Sequence, residues 1–219
     1  RSSLGPVHFW LLPFVKPLQV RQAFPDEEIA TYTDTLRVAI NHINIDPQQR
    51  NVLVAHQFVT GATAAGSEEL SVGGLDNVDA EVFAPFDYVA LGHIHGPQRV
   101  TRDTVRYCGS PLKYSFAEAT QHKSVTFVTL GAKGQVDIGT RPLRPLRDMR
   151  EIRGTFADIA ARRLVADEPK EDYMHITLTD EEDVVDALAQ LRLVYPNILR
   201  LDYDNRRTNR DRKSGSAGM

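Results

Sequence analysis

The pattern of apolar and polar positions divides the first part of the chain into strands and one clear helix. Apolar residues between Asp26 and Ile45 recur three and four positions apart, which predicts an amphipathic helix. Pro25 and the acidic residues after it suit the start of this helix, and Pro47 closes it. The apolar runs VHFWLLPF and NVLVAHQF predict strands on either side, the second ending near His56.

Further strands and a second domain are predicted downstream. DYVALGHIH reads as another buried strand, whereas TVRYCGSP, SVTFVTLG and QVDIGTRPL predict successive antiparallel strands between Gly and Pro turns. Prolines and arginines from Pro142 to Asp148 predict a domain boundary. Beyond it, REIRGTF, ADIAARRL, YMHITLT, EEDVVDALAQLRLVY and NILRLDYD predict a strand-helix-strand-helix-strand domain, whose last helix follows the acidic turn 180–183.

Composition narrows the class of protein. A chain of 219 residues with 42% hydrophobic and 25% charged residues is typical of a globular protein with a sizeable core. The net charge of -3 gives no global sign of a polyanionic partner, so any nucleic-acid contact must come from local patches. The one cysteine, Cys108, excludes an internal disulfide, and we expect it to be a small core residue in a reducing compartment.

The apolar stretches and the two ends of the chain predict the compartment of the protein and the state of its termini. No apolar stretch is long enough to span a bilayer and no signal peptide is present, so we expect a cytoplasmic protein without membrane contact. The chain lacks an initial methionine and runs at once into an apolar segment, which suggests that it begins inside a domain. The basic and then Gly/Ser-rich end has nothing to pack, which predicts a mobile tail.

Three histidines at predicted strand ends are the candidate chemistry. In the G-H-x-H motif, His93 and His95 on an extended backbone would lie on one side, roughly 6–7 Å apart. His56 ends another apolar strand, and the carboxyl ends of parallel strands meet at one edge of a sheet. Imidazole binds divalent transition metals, so the set would suit one ion or two ions about 3.5–4 Å apart. The residues alone leave open a mononuclear zinc hydrolase and a larger metal cage.

The blocks VLVAHQFVTGA, FDYVALGHIHGPQRV and VRYCGSPLKYSF, in this order and spacing, resemble the downstream half of the SbcD family. These are nuclease subunits of bacterial SbcCD complexes, within the calcineurin-like metallophosphoesterase superfamily. The resemblance extends from Val7 to Asp204 and implies a four-layer α/β/β/α metallophosphoesterase sandwich plus a small α/β capping domain. We therefore expect the C-terminal half of the phosphoesterase domain in 1–145, a DNA-facing cap in 146–204 and a disordered tail in 205–219.

The same resemblance implies a dinuclear site and a reaction. His56 and His93 would bind one divalent ion and His95 the other, with Mn²⁺ as the usual metal and Mg²⁺ as the alternative. Such ions orient water and polarise a phosphodiester. The implied enzyme is a DNA exonuclease at double-stranded ends and an endonuclease on hairpins and single strands, serving DNA repair, recombination and replication. Its implied partners are the SbcC ATPase and a second copy of itself, in a heterotetramer located in the nucleoid.

The upstream motifs of the family are missing from this chain. D-x-H, G-D-x-x-D and G-N-H-D/E do not occur in the required context, because LDNVD at 75–79 lacks its glycine and Asn41-His42 lies in a predicted helix. No catalytic residue is therefore assigned. Three neutral imidazoles without a bridging carboxylate should hold a second dication poorly. We predict that this chain alone is inactive or binds metal weakly.

Basic residues near the histidine motif and the domain boundary are candidates for contact with a phosphate backbone. His122 and Lys123 belong to the same cluster, and a solvated face beside Asp103 and Glu118 is an equal alternative. Two other functions stay open: a calcineurin-like phosphodiesterase for small substrates, and a non-catalytic module that binds DNA or a partner. The DNA-contact candidates are Arg99, Arg102, Arg106, Lys113, Arg144 and Arg147.

Overall fold

The computed structural model describes residues 4–64 and 77–206 and groups the chain into two compact units. Unit 1 comprises Arg1–Leu112 and Gln121–Leu143, and unit 2 comprises Lys113–Thr120 and Arg144–Met219. Residues 65–76 lie outside the described residues, as does the predicted 205–219 tail from residue 207 onward. In the part of the chain that is described, no helix has the length and apolarity that a membrane crossing requires.

Unit 1 is built on a mixed five-stranded sheet in which neighbouring apolar runs pair in parallel. The order is β1-β2-β3-β5-β4, with only β4 antiparallel to its neighbour. The sequence predicted β5 as one of a series of antiparallel strands. This prediction is wrong for β5, which pairs in parallel with β3. The strands are β1 (Val7–Leu12), β2 (Arg50–His56), β3 (Tyr88–Gly92), β4 (Gln98–Val100) and β5 (Arg102–Tyr107).

The main core lies on one face of this sheet. Because alternate residues of a strand point to opposite faces, Leu53, Val89 and Val105 lie on the same side, and all three are fully buried. Leu36 from a helix and Phe83 from a 3-10 turn at Ala80–Phe83 belong to the same cluster. The parallel runs are held in place by this one packed face.

The other face of the sheet stays partly open at β1 and β2. Phe9, Leu11 and Val54 are 63%, 77% and 40% exposed, and the register pairs Leu11 with Val54. They form an apolar patch, which we call the open face. In a globular protein a contiguous apolar patch of this kind is typical of a surface that packs against something else.

Helix α2 (Tyr32–Asn41) begins six residues later than the predicted start at Asp26. A capping box explains the difference: the Asp34 amide donates to the Thr31 hydroxyl (3.1 Å), and the Thr31 amide donates to the Asp34 carboxylate (3.0 Å). The Thr31 hydroxyl is the largest of the influences that lower the pKa of Asp34 from 3.8 to about 2. A preceding helix, α1 (Pro17–Ala23), was missed by the sequence analysis.

A two-stranded hairpin completes unit 1. β6 (Ser124–Leu130) and β7 (Val136–Pro142) pair antiparallel, as the sequence predicted. At the turn end, Arg50 donates to the carbonyls of Leu130 (3.3 Å) and Gly131 (3.1 Å). Lys133 pairs with Asp87 at 2.8 Å. These bonds fix the hairpin turn to the five-stranded sheet.

Unit 2 is a three-stranded parallel sheet, in the order β10-β9-β8, with two short helices. Its core includes Ile159, Ile176 and Leu191, all fully buried. The order of elements agrees with the sequence prediction, but the last helix is shorter because Asp186 has a left-handed φ of 49° just before it. The elements are β8 (Met149–Gly154), α3 (Phe156–Ala160), β9 (Tyr173–Leu178), α4 (Ala187–Arg192) and β10 (Ile198–Tyr203).

Candidate functional site

Two of the three candidate histidines meet where two parallel strands end. His56 is the last residue of β2, and its register partner on β3 is Gly92, which is followed directly by His93. The centroids of the His56 and His93 rings are 5.4 Å apart, with the rings nearly perpendicular. The parallel pairing of two apolar strands is what brings these imidazoles to one edge of the sheet.

Gly92 creates the space that the His56 ring occupies. A Cβ at position 92 would lie 2.8 Å from Nδ1 of His56, a distance that real Cβ atoms essentially never show. The imidazole of His56 therefore lies over the end of β3 only because residue 92 has no side chain. The ring of Phe58 also lies near His93, 6.2 Å from its ring, centroid to centroid.

The G-H-x-H loop, residues 92–96, does not have the extended conformation that the sequence predicted. β3 ends at Gly92, and His93 has a φ of 103°, so the expectation that His93 and His95 lie on one side of a strand is wrong. A histidine in this region costs of order 1–3 kcal/mol and persists only where its surroundings hold it. Ile94, between the two histidines, is buried in the main core.

His95 is held through its backbone. Its carbonyl accepts hydrogen bonds from the Ser110 amide at 3.0 Å and from the Lys123 ammonium at 2.9 Å, while its side chain is half-buried. Over residues 4–64 and 77–206, there is no group of three or more His, Cys, Asp or Glu side chains placed to bind one metal ion. His56, His93 and His95 are thus not assembled as a three-ligand set in this structure. What the geometry offers a divalent ion is the adjacent imidazole pair of His56 and His93.

The candidate DNA contacts in unit 1 differ in how accessible they are. Arg99 is exposed and lies 3.3 Å from Asp103. Arg102 donates to the backbone carbonyls of Phe83 (2.9 Å) and Phe86 (2.8 Å), and burial lowers the pKa of its guanidinium. Arg106, on β5, is half-buried. Arg102 thus ties β5 to the segment before β3, whereas Arg99 is exposed beside a carboxylate partner.

The candidates in unit 2 divide in the same way. Lys113 pairs with Asp148 at 2.8 Å and donates to the Ala119 carbonyl at 2.7 Å. Arg144 and Arg147 are exposed. Their neighbours Arg150 and Arg153 form ion pairs with carboxylates at 2.6 Å each. Arg144 and Arg147 therefore remain the accessible basic residues among the unit 2 candidates.

Some residues differ from their sequence expectation or were missed. Cys108, expected in the core, is exposed just after β5. Lys123, expected at a basic surface, is buried and hydrogen-bonded to the histidine loop. The role of Gly92 could have been found from its place between a strand and a histidine. Lys123 and His95 are 28 positions apart, and no local sequence pattern predicts their contact.

Comparison with known proteins covers nearly the whole chain. Residues 145–218 match the family described as Type 5 capsule protein repressor C-terminal domain, SbcD_C. The D subunit of the SbcCD nuclease of Staphylococcus epidermidis (strain ATCC 12228 / FDA PCI 1200) is 34% identical over 202 residues, which are 91% of this chain and 54% of that protein. The chain spans about half the length of this curated relative. The resemblance drawn from the sequence blocks is thereby confirmed, because the chain is similar to the D subunit of an SbcCD nuclease over most of its length.

Proposed function

We propose that this chain is a portion of a metal-dependent DNA nuclease subunit that acts with an SbcC-type ATPase in DNA repair and recombination. The observation that carries the proposal is the imidazole pair of His56 and His93 at adjoining strand ends. It occurs in a chain that is similar to the D subunit of an SbcCD nuclease over both structural units. The substrates are double-stranded ends, cut exonucleolytically, and hairpins or single strands, cut endonucleolytically.

The proposed cofactor is a pair of divalent ions, Mn²⁺ with Mg²⁺ as the alternative. His56, His93 and His95 would contribute imidazole nitrogens to them, and because Mn²⁺ and Mg²⁺ favour oxygen ligands, carboxylates of the extended protein would have to complete the set. Bound ions would supply Lewis-acid stabilisation of charge on the phosphodiester and a water of lowered pKa. The residues of this chain orient the donors: Gly92 leaves room for the His56 ring, and the Ser110 amide fixes the His95 backbone.

The four-layer α/β/β/α sandwich is part of the same proposal. The open face of the sheet, with Phe9, Leu11 and Val54, supports it, because two packed sheets bury such a face between them. Residues 1–145 would then form one sheet layer with its helices, and 146–204 the cap. In this arrangement the open face is the surface where the second sheet packs.

DNA contact is proposed for the accessible cations. Arg99, Arg144 and Arg147 are exposed. Guanidinium groups bind phosphates through paired N–H donors and release condensed counterions, which makes binding salt-dependent. Arg102 and Lys113 are weaker candidates, because Arg102 donates to two backbone carbonyls and Lys113 has a largely buried side chain that pairs with Asp148.

A nuclease assay on two lengths of the protein tests the proposal. The chain as it stands is compared with one extended to the length of the curated relative, on end-labelled linear DNA and on a hairpin, with Mn²⁺. We expect cutting by the extended protein only, and loss of cutting in its His93→Gln and His95→Gln variants. His8→Gln, which changes an exposed histidine on β1 outside the loop, serves as the control and should cut normally.

Two further measurements, hydrolysis of a small substrate and DNA binding, separate the rival functions. A phosphodiesterase for small substrates would hydrolyse bis-p-nitrophenyl phosphate but show no salt-dependent DNA binding. A non-catalytic module would bind DNA equally well with and without His95. Robust cutting by the short chain, or unimpaired cutting by the extended His93→Gln variant, would contradict the proposed site.

A further inference from the structure

The G-H-x-H loop needs an anchor at its second histidine. His93 has a φ of 103°, which a non-glycine residue rarely adopts and which persists only where neighbouring groups over-determine it. Ile94 anchors the middle of the loop, since its side chain is buried in the main core. If the next residue were not fixed, His93 could relax to an ordinary backbone conformation and its ring would turn away from His56.

The carbonyl of His95 is the point where the loop is held. The Ser110 amide (3.0 Å) and the Lys123 ammonium (2.9 Å) donate to it, and the Ser110 hydroxyl lies 3.5 Å away. Gly109, with a φ of 80°, lets the chain approach, because a Cβ there would lie 2.6 Å from this carbonyl oxygen. Donors from two separate segments therefore converge on one peptide group.

Lys123 makes these bonds from a buried position. Its residue is only 5% exposed, and its ammonium also donates to the Ser110 hydroxyl (2.8 Å) and to the Gln121 side-chain carbonyl (2.7 Å). A buried ammonium is unfavourable unless its N–H groups are satisfied. By contrast, the Lys133 side chain is 38% exposed where it pairs with Asp87.

The backbone of Lys123 is itself fixed by the hairpin. Lys123 directly precedes β6, and its carbonyl accepts a hydrogen bond from the Leu143 amide at 2.8 Å, which closes the base of the hairpin. The turn end of the hairpin is tied to the sheet by Arg50. The ammonium of Lys123 is thus carried by an element that is attached at both ends.

We propose that Lys123 is a positioning residue, which holds the G-H-x-H loop through the His95 carbonyl so that His93 keeps its strained backbone and its ring stays beside His56. It touches neither metal nor substrate and acts through the histidine backbone. The inference rests on the proposed function insofar as these histidines are metal ligands. Its geometric part, the placement of the rings, is measurable without metal.

The test compares Lys123→Met, which removes the ammonium and keeps the length of the side chain, with Lys133→Met, which removes a hydrogen-bonded ammonium elsewhere in unit 1. Three measurements are made on the full chain: thermal denaturation, histidine-ring ¹⁵N spectra without metal, and Mn²⁺ affinity by electron paramagnetic resonance. The ring signals are assigned with His56→Gln, His93→Gln and His95→Gln variants.

We expect Lys123→Met to shift the ring signals of His93 and His95 and to weaken Mn²⁺ binding by about tenfold, the scale of losses for residues that orient metal ligands. Lys133→Met should leave both unchanged, whatever its melting temperature. Unchanged ring signals and affinity in Lys123→Met would overturn the inference even if its stability falls. If that variant does not fold, Ser110→Ala replaces it: smaller shifts of the same two signals support the inference, and their absence overturns it.

The outcomes separate this inference from the proposed function. If the wild-type chain binds no Mn²⁺ but Lys123→Met still shifts the two rings, the positioning role stands and the metal assignment fails. If wild type binds Mn²⁺, His93→Gln abolishes binding and Lys123→Met is normal in both readouts, the metal site stands and the positioning role fails.

Discussion

Replacing Gly92 by alanine tests the contact between the ends of β2 and β3. Gly92 and His56 are register partners, and a Cβ at residue 92 would lie 2.8 Å from Nδ1 and 3.5 Å from Cε1 of the His56 ring. The new methyl group and the ring cannot both keep these places. Because the crowded atoms belong to a side chain and not to the backbone, we expect the imidazole to move.

The size of this movement follows from the contact distance. Ordinary van der Waals contact begins at 3.4 Å, so the ring must retreat by about 0.6 Å. Metal–ligand distances tolerate only about 0.2 Å, so Mn²⁺ affinity should fall by about 10–100-fold. The backbone adapts easily, since Gly92 has no left-handed φ and Gly-to-Ala changes at such sites stabilise by about 0.4–1 kcal/mol. We therefore expect the free energy of unfolding to change by less than about 1 kcal/mol.

Gly139→Ala is the matched control, because a Cβ at this β7 position meets nothing within 4 Å. Urea denaturation measures stability, ¹⁵N spectra report the His56 ring, and Mn²⁺ titration reports affinity. Only the Gly92 variant should lose affinity and shift the His56 signals. Wild-type ring signals together with wild-type affinity in Gly92→Ala would refute the reasoning from the strand-end contact.

Three further predictions concern unit 1. Thr31→Ala should lower the free energy of unfolding by about 1 kcal/mol because α2 loses its capping hydroxyl, whereas Thr31→Ser in the same urea titration should remain close to wild type. Tyr107→Phe should cost about 1–3 kcal/mol, since its hydroxyl is bonded to two backbone groups in the core; a loss below about 0.5 kcal/mol would contradict this. Burial raises the pKa of Asp87, but hydrogen bonds from Lys133 and two backbone amides leave it lowered overall from 3.8. The ionised Asp87 carboxylate therefore stabilises the folded protein above pH 3.8, and this stabilisation is lost as the pH falls through the lowered pKa of the folded state. Asp87→Asn should remove this contribution, which is measured as the change of the urea midpoint with pH in the acid range.

The strands followed from the sequence more closely than the helices. The apolar run before His56 predicts β2 because strands of parallel sheets typically show as continuous apolar runs, although Val54 on its open face is 40% exposed here. The apolar periodicity of a helix does not show where the helix begins. The Thr31 cap makes α2 shorter than predicted, and the left-handed backbone of Asp186 does the same for α4. The missed α1 does carry a signal, a proline at its first position, Pro17.

The candidate site was predictable only where it depends on strand order. His56 and His93 meet because two apolar strands pair in parallel, and both strands are visible in the sequence. The turn at His93 was not predictable, because a strained backbone of this kind persists only where tertiary contacts hold it. Its supports, Ile94 in the core and Lys123 at the hairpin base, are tertiary contacts.

The open face and the histidine pair lead to one linked prediction. Val54 and His56 are two residues apart on β2 and so point to the same side of the sheet, the side that the proposed second sheet would cover. Packing of that sheet and completion of the ligand set would then be a single event. Leu11→Ser, which changes an exposed leucine on this face, should leave Mn²⁺ affinity of the present chain unchanged. In the extended protein it should lower Mn²⁺ affinity by about tenfold although Leu11 binds no metal. Equal affinity of extended wild type and extended Leu11→Ser would separate the two features and remove the open face from the proposal.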